Sequence, residues 1–308
     1  MPSDSPHGAA DAGWLPIREV ARLTGVNPVT LRAWERRYGL IVPRRTAKGH
    51  RLYDPDQVRR IQDILAWLNR GAAVSQVKAL LDAPRPSPVD EQNPWQALRE
   101  ALLDAVERLA ERALDERFNQ AMALYPPRTL CEHLLLPLLD ALAQRWQGQY
   151  GAALERVFFH SWLRGKLAAR LYHHNRQQAG APLLLASLSD TPFEPGLWAS
   201  AWLATTGDCP VDVLDWPVPP AELRLACERI APRALLLYAG QTFEAAYLRP
   251  LQRLAEEGLP VLLAGPATRI QRPALDEAPD LVLADDPLAA HDALRAARLL
   301  DRPTEVPR

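Results

Sequence analysis

Cysteine is scarce in this chain. Only three occur in 308 residues, Cys131, Cys209 and Cys227. They are odd in number, far apart and in no CxxC spacing, which excludes a disulfide scaffold and a cysteine-based zinc site and predicts a reducing, cytoplasmic setting. Long apolar runs are also missing, so no membrane span is expected. The opening MPSDSPHGAADAG lacks the apolar centre of a signal peptide, and residues 1–13 read as a disordered leader. Net charge is nearly absent, at −1. No Gly-rich phosphate loop, nucleophile elbow or paired-carboxylate motif is present, so no catalytic residue is assigned and an enzyme is the least favoured class.

The near-zero charge is an average over an uneven distribution. Between residues 32 and 60 the basic side chains are Arg32, Arg36, Arg37, Arg44, Arg45, Lys48, Arg51, Arg59 and Arg60, against only Glu35, Asp54 and Asp56. A local basic patch of this kind is the electrostatic footprint of phosphate contact.

Hydrophobic residues make up 48% of the chain, enough for ordinary cores, and the length suggests two or three domains. Residues 14–82 form a first segment. The stretch APRPSPVDEQNP at 83–94 reads as a Pro-rich linker. Residues 95–178 are dense in Leu, Ala, Glu and Arg at helical spacing and predict a four-helix bundle. From 181 to 302, apolar runs (LLLASLS, VDVLDW, ALLLYA, PVLLAG, DLVLAD) alternate with helical stretches. That alternation predicts a doubly wound, Rossmann-like α/β domain. The expected architecture is therefore multidomain: a winged helix-turn-helix, a helical bundle and a parallel α/β domain.

In the first segment, Ile17, Val20, Ala21 and Leu23 mark the apolar face of one helix, and Gly25 stands at the reversal. Asn27 is a candidate N-cap for a second helix opening with Pro28. There Val29, Leu31 and Trp34 are expected to pack, leaving Thr30, Arg32, Arg36 and Arg37 for DNA. The following IVPRRTAKGHRLYD predicts a β-hairpin wing, with Arg44, Arg45, Lys48, His50, Arg51 and Tyr53 as candidate DNA contacts. Asp54-Pro55 then opens a third helix and VSQVKALLD forms a fourth.

The motifs Arg18-Glu19-Val20-Ala21, Gly25-Val26, Thr30-Leu31-Arg32, Trp34-Glu35, Pro43-Arg44-Arg45 and Gly49-His50-Arg51-Leu52-Tyr53, in this order, resemble the MerR family. NPVTLRAWERRYGL with GHRLY is most like the subgroup that contains curli regulators and cobalamin photoreceptors. The resemblance implies a winged head that binds double-stranded DNA at operators, as a homodimer or higher oligomer.

A bundle followed by an α/β domain behind such a head resembles that subgroup's cobalamin-binding module. The resemblance implies a cobalt-ligating histidine in an [ED]-x-H-x-x-G motif after the first strand. Aligned on Gly196, Phe193 stands at the histidine and Thr191 at the acid, and phenylalanine has no lone pair for a metal. The later Ser-x-Leu and Gly-Gly signatures are replaced by Tyr238-Ala239-Gly240 and Ala264-Gly265. A Trp and Glu-His cap survives only as the remnant Trp146 and Glu155. His133, His160, His173, His174 and His291 are scattered on helices and are not expected to bind metal. The expectation is a degenerate module with no cofactor and no metal. Phe193, Trp198 and Trp202 would fill the corrin space, or Trp198 and Trp202 are simply core. The leading reading is a transcription regulator whose C-terminal module serves dimerisation, a regulatory protein partner or signal input. The alternative is a sensor of cobalamin or another small molecule.

Overall fold

Two side-chain caps start the helices that organise the N-terminal head. Asn27 Oδ1 accepts the Val29 amide at 2.8 Å and Asp54 Oδ1 accepts the Gln57 amide at 2.7 Å, each satisfying an amide that the first helical turn leaves unpaired. The computed structural model describes residues 13–46, 48–82, 94–148, 150–276 and 280–301. Apart from Gly13 and Pro94, the expected leader and Pro-rich linker lie outside the described residues.

The head runs β1 (Leu15–Pro16), α1 (Ile17–Thr24), α2 (Pro28–Ala33), β2 (Arg44–Arg45), β3 (Arg51–Tyr53), α3 (Pro55–Asn69) and α4 (Val74–Asp82). Gly25, at φ 70°, ends α1 in the left-handed region that glycine adopts without strain. α2 continues through a π-helical turn, Trp34–Tyr38. The wing is an antiparallel pair, with Arg44 opposite Leu52 and Arg45 opposite Arg51. β1 adds a third strand, Leu15 opposite Tyr53. Val20, Leu31, Trp34, Tyr53, Ile61 and Ile64 form the core.

Sequence periodicity assigned several of these side chains to the wrong side. Val29 and Leu23, expected to pack, are 55% and 49% exposed. Thr30 and Tyr53, expected at DNA, are fully buried. The wide turn at Trp34 and the third strand were not foreseen.

Three further helical pieces pack on this head: α5 (Pro94–Glu107), α6 (Glu111–Leu124) and α7 (Pro127–Leu130), the last continuing as a π turn over Cys131–Leu135. Polar anchors fix them. Trp34 Nε1 donates to the Leu124 carbonyl at 2.9 Å and Trp95 Nε1 to the Gly71 carbonyl at 3.2 Å. Thr129 Oγ1 donates to Asn69 Oδ1 at 2.9 Å. Buried indole N–H groups usually find such partners. The chain divides into two compact units, Met1–Leu135 and Leu136–Arg308, so helices of the segment expected as one bundle fall on both sides of that division.

The second unit comprises α8 (Leu136–Arg145), α9 (Ala152–Asn175), β4 (Leu183–Ser187), α10 (Pro195–Ala204), β5 (Val211–Leu214), α11 (Pro220–Ile230), β6 (Ala234–Tyr238), α12 (Leu248–Glu256), β7 (Val261–Ala264), α13 (Ala267–Ile270), α14 (Arg272–Leu275), β8 (Val282–Ala284) and α15 (Pro287–Ala296). The five expected strands form one parallel sheet in the order β5-β4-β6-β7-β8. β4 and β6 pair in full register, Leu183 with Ala234 through Ser187 with Tyr238, and every residue of both is buried. α10 is buried from Gly196 to Ala204, as a helix that is apolar all round must be.

The strand order reverses between β4 and β6. In open parallel sheets the crevice at such a point, beyond the carboxyl ends of the strands, is where ligands bind. Here it is filled. A Cβ on Gly196 would stand 2.1 Å from the Tyr238 ring, and one on Gly240 would stand 2.2 Å from a Glu194 carboxylate oxygen. Gly196→Ala is therefore expected to destabilise the protein by about 1–3 kcal/mol in chemical unfolding, with part of the loss restored when Tyr238→Leu is added. A neutral Gly196→Ala would mean that the ring does not rest on that helix.

Candidate functional site

α2 and its π turn expose Arg32, Arg36 and Arg37, and the hairpin exposes Arg44, Arg45, Lys48 and His50. These seven candidate DNA contacts remain accessible. The helix turns one face, Leu31 and Trp34, into the core, so its arginines must point outward.

Three other candidates change role. Thr30 lies in the core with no hydrogen-bond partner for its hydroxyl among the described residues. Tyr53 is equally buried. Burial pushes its hydroxyl up to about 12, so it stays neutral. Its ring anchors the wing. Arg51 is mostly buried, its side chain 11% exposed, and acts through Glu35.

Glu35, which the sequence reading left without a role, ties helix to wing. Its two oxygens take Arg51 Nε at 2.5 Å and Arg45 Nη2 at 2.9 Å. Burial alone would push this carboxyl up, but the bonds from Arg51 and Arg45 outweigh it and hold the group below the ordinary glutamate value of 4.5. One signal in the sequence pointed to it: Glu35 is the lone acid among the arginines of the second helix. Val29 was also missed. It is an exposed apolar side chain in the first turn of that helix, three residues before Arg32, and suits contact with a thymine methyl.

In the second unit, Phe193 lies in the loop between β4 and α10 and is 6% exposed. Its ring stacks on Trp198 at 6.4 Å and lies 4.9 Å from the His160 ring, with the Arg164 guanidinium 5.0 Å above it. Burial and the neighbouring Arg156 and Arg164 pull the His160 imidazole down to about 4, so it is neutral near pH 7. Trp198 and Trp202 are 7% and 5% exposed. Trp146 and Glu155 are engaged with each other and with Arg145. Glu155 accepts Trp146 Nε1 at 3.1 Å and a two-pronged bond from Arg145 at 3.0 and 3.1 Å. Arg145 and Trp146 hold its carboxyl below the usual range against the opposing effect of burial. Among the described residues, no group of three His, Cys, Asp or Glu side chains could hold a metal ion, and no helix is long and apolar enough to cross a membrane.

Residues 15–84 match the family described as MerR HTH family regulatory protein. The chain is 34% identical over 243 residues to the HTH-type transcriptional regulator MlrA of Escherichia coli (strain K12), covering 79% of this chain and 95% of that one. The chain belongs to the MerR family. Within it, the chain is 27% identical over 274 residues to the HTH-type transcriptional repressor CarH of Myxococcus xanthus, covering 82% of this chain and 89% of that one. Residues 98–171 match the family described as B12 binding domain. Among solved structures, the monomethylamine corrinoid protein of Methanosarcina barkeri aligns with 66% of this chain and 99% of its own, at 12% identity and a TM-score of 0.48.

Cobalamin, which a B12 binding domain implies, does not fit the residues present in this MerR-family chain. Phe193 offers no donor where the motif has its cobalt ligand. The Tyr238 ring against Gly196 and the Glu194 carboxylate against Gly240 fill the crevice beyond β4 and β6.

The Glu35 clamp carries a sign. A carboxyl whose folded pKa is depressed contributes stability above its unfolded pKa and loses it as pH falls through the folded value. Wild-type stability is thus expected to drop as pH falls below about 4.5 more steeply than that of Glu35→Gln, measured by urea unfolding across the acid range. Parallel pH profiles would show that Glu35 does not clamp the wing in solution.

Proposed function

We propose that this chain is a sequence-specific regulator of transcription that binds double-stranded DNA through α2 and the β2–β3 wing, and that its C-terminal module works without cobalamin. The observation that carries the DNA reading is one surface with two parts. Exposed arginines line α2 and its turn, and Glu35 holds Arg45 and Arg51 of the wing beside them. A helix of this size fits the major groove, where arginine pairs with guanine edges, while a basic hairpin suits the backbone. Arg32, Arg36 and Arg37 are assigned to the groove, with Val29 beside them. Arg44, Arg45, Lys48 and His50 are assigned to phosphates. The relatives' names, transcriptional regulator and transcriptional repressor, agree with this output.

The module at residues 98–171 and the α/β domain are assigned to self-association, a regulatory protein partner or signal input. Two half-sites read by two heads give specificity that one small head lacks, so a homodimer or higher oligomer is the expected binding form. A cytoplasmic location is proposed from the low cysteine count, three in 308 residues with no CxxC spacing. No catalytic role is proposed.

Genome-wide mapping of bound sites, followed by a footprint on one promoter, tests the DNA reading. Arg32→Ala is expected to lower operator affinity by about 1–3 kcal/mol without shifting the unfolding midpoint. Arg51→Ala is expected to weaken binding and also lower stability, since it removes the more buried of the two arginines that Glu35 holds. If both variants bind as tightly as wild type, the assignment of helix and wing fails. Protein expressed in cobalamin-supplemented medium is expected to purify without the visible absorption band of a corrinoid. A stoichiometric band would sink the cobalamin-free reading.

A further inference from the structure

The second unit holds a cavity of about 370 Å³ between one face of α9 and the loop 191–193. That volume suits a ligand of one or two rings and falls far short of a tetrapyrrole-sized macrocycle. Its walls have an uneven chemistry. Arg156 and Arg164 come from α9, one and then two turns apart around His160. Arg164 is already committed: Nε lies 3.2 Å from the Asp215 carboxylate, its guanidinium donates to the Pro192 carbonyl, and it covers the Phe193 ring. Arg156 is exposed and makes no ion pair among the described residues. The lining residues include no acid. With Asp215 balancing Arg164, one positive charge at the cavity remains uncompensated. The rest of the lining is flat or apolar apart from the Ser161 and Thr191 hydroxyls. Phe193 and His160 have ring centroids 4.9 Å apart, and Val157 is 63% exposed at the rim.

We propose that this cavity binds a planar aromatic carboxylate, with its ring against Phe193 and Val157 and its carboxylate on Arg156. Guanidinium and carboxylate pair through two parallel hydrogen bonds. A neutral His160 beside the ring adds a second flat surface at no cost in charge. The proposal rests on the reading that the module works without cobalamin, because a corrin held at Phe193 would need the same space.

The test uses the full chain and three probes: 2-naphthoate, its neutral amide 2-naphthamide, and hydroxocobalamin. In titration calorimetry, 2-naphthoate is expected to bind saturably and 2-naphthamide roughly tenfold or more weakly. Arg156→Gln sits on an exposed position and should leave the fold intact. It is expected to weaken 2-naphthoate roughly tenfold while leaving 2-naphthamide unchanged. The charged groups that face His160 are Arg156 and Arg164 on its own helix, and the packed rings of Trp146 and Phe193 are uncharged. An anion placed among them favours the imidazolium, so 2-naphthoate should raise the His160 titration midpoint in NMR. The proposal is overturned if 2-naphthoate shows no saturable binding, if the amide binds as tightly, or if Arg156→Gln leaves 2-naphthoate affinity unchanged. Hydroxocobalamin that binds with a shifted spectrum would instead overturn the cobalamin-free reading, whatever 2-naphthoate does.

Discussion

The head depends on two adjacent residues that face opposite ways. Trp34 is fully buried, fills the centre of the N-terminal core and bonds through its indole N–H to the Leu124 carbonyl. Glu35, next in the chain, points to the wing and takes both Arg45 and Arg51. A large buried indole sets the rotation of the helix about its axis, since turning it would expose the ring and open a void in a close-packed core. Once that rotation is set, Arg32, Arg36 and Arg37 have nowhere to go but outward. The carboxylate then orients the wing relative to the same helix. Affinity for DNA comes from many positive charges, but reading a sequence needs those charges at defined positions. A single acid among them supplies order at the loss of one unit of net charge.

The second unit follows a different constraint. Its central strands β4, β6 and β7 are buried along their whole length, and the reversal of strand order between β4 and β6 leaves a crevice beyond their carboxyl ends. Here the chain fills it with Tyr238 and Glu194, and glycine at 196 and 240 is what lets those side chains approach. Burial pushes the Glu194 carboxyl up against the opposing bonds from Ser189 and from the Gly196 and Gly240 amides. A cavity of about 370 Å³ beside α9 remains open, with Arg156 and Arg164 in its lining.

Much of this was legible beforehand. Asn27 and Asp54 cap helices as their side chains suggest, because an N-cap is a local interaction between residues two or three apart. All five strands of the α/β domain, from LLLAS to VLA, stood out as short apolar runs between helical stretches. That Phe193 can give a metal no lone pair follows from the side chain alone, in any fold. The exposed arginines of the second helix and the wing were all named from composition and order.

The remainder needed the tertiary structure. Thr30 and Tyr53 look like polar DNA contacts, yet both are core, Tyr53 where β3 pairs with β1. Val29 and Leu23 look like packing residues, yet both are exposed. Glu35 could be counted among the charges, but its role as clamp depends on a strand sixteen residues away. Trp95 and Thr129 anchor later helices onto the head at Gly71 and Asn69, across separations that no local pattern encodes. The sequence by itself determined which segments become helix or strand, where basic charge gathers and that Phe193 offers no lone pair, since these follow from side-chain chemistry and local spacing. Only the tertiary structure decided which side chains face solvent, which acid orders the arginines and which cavity stays open, since these depend on contacts between residues far apart in the chain.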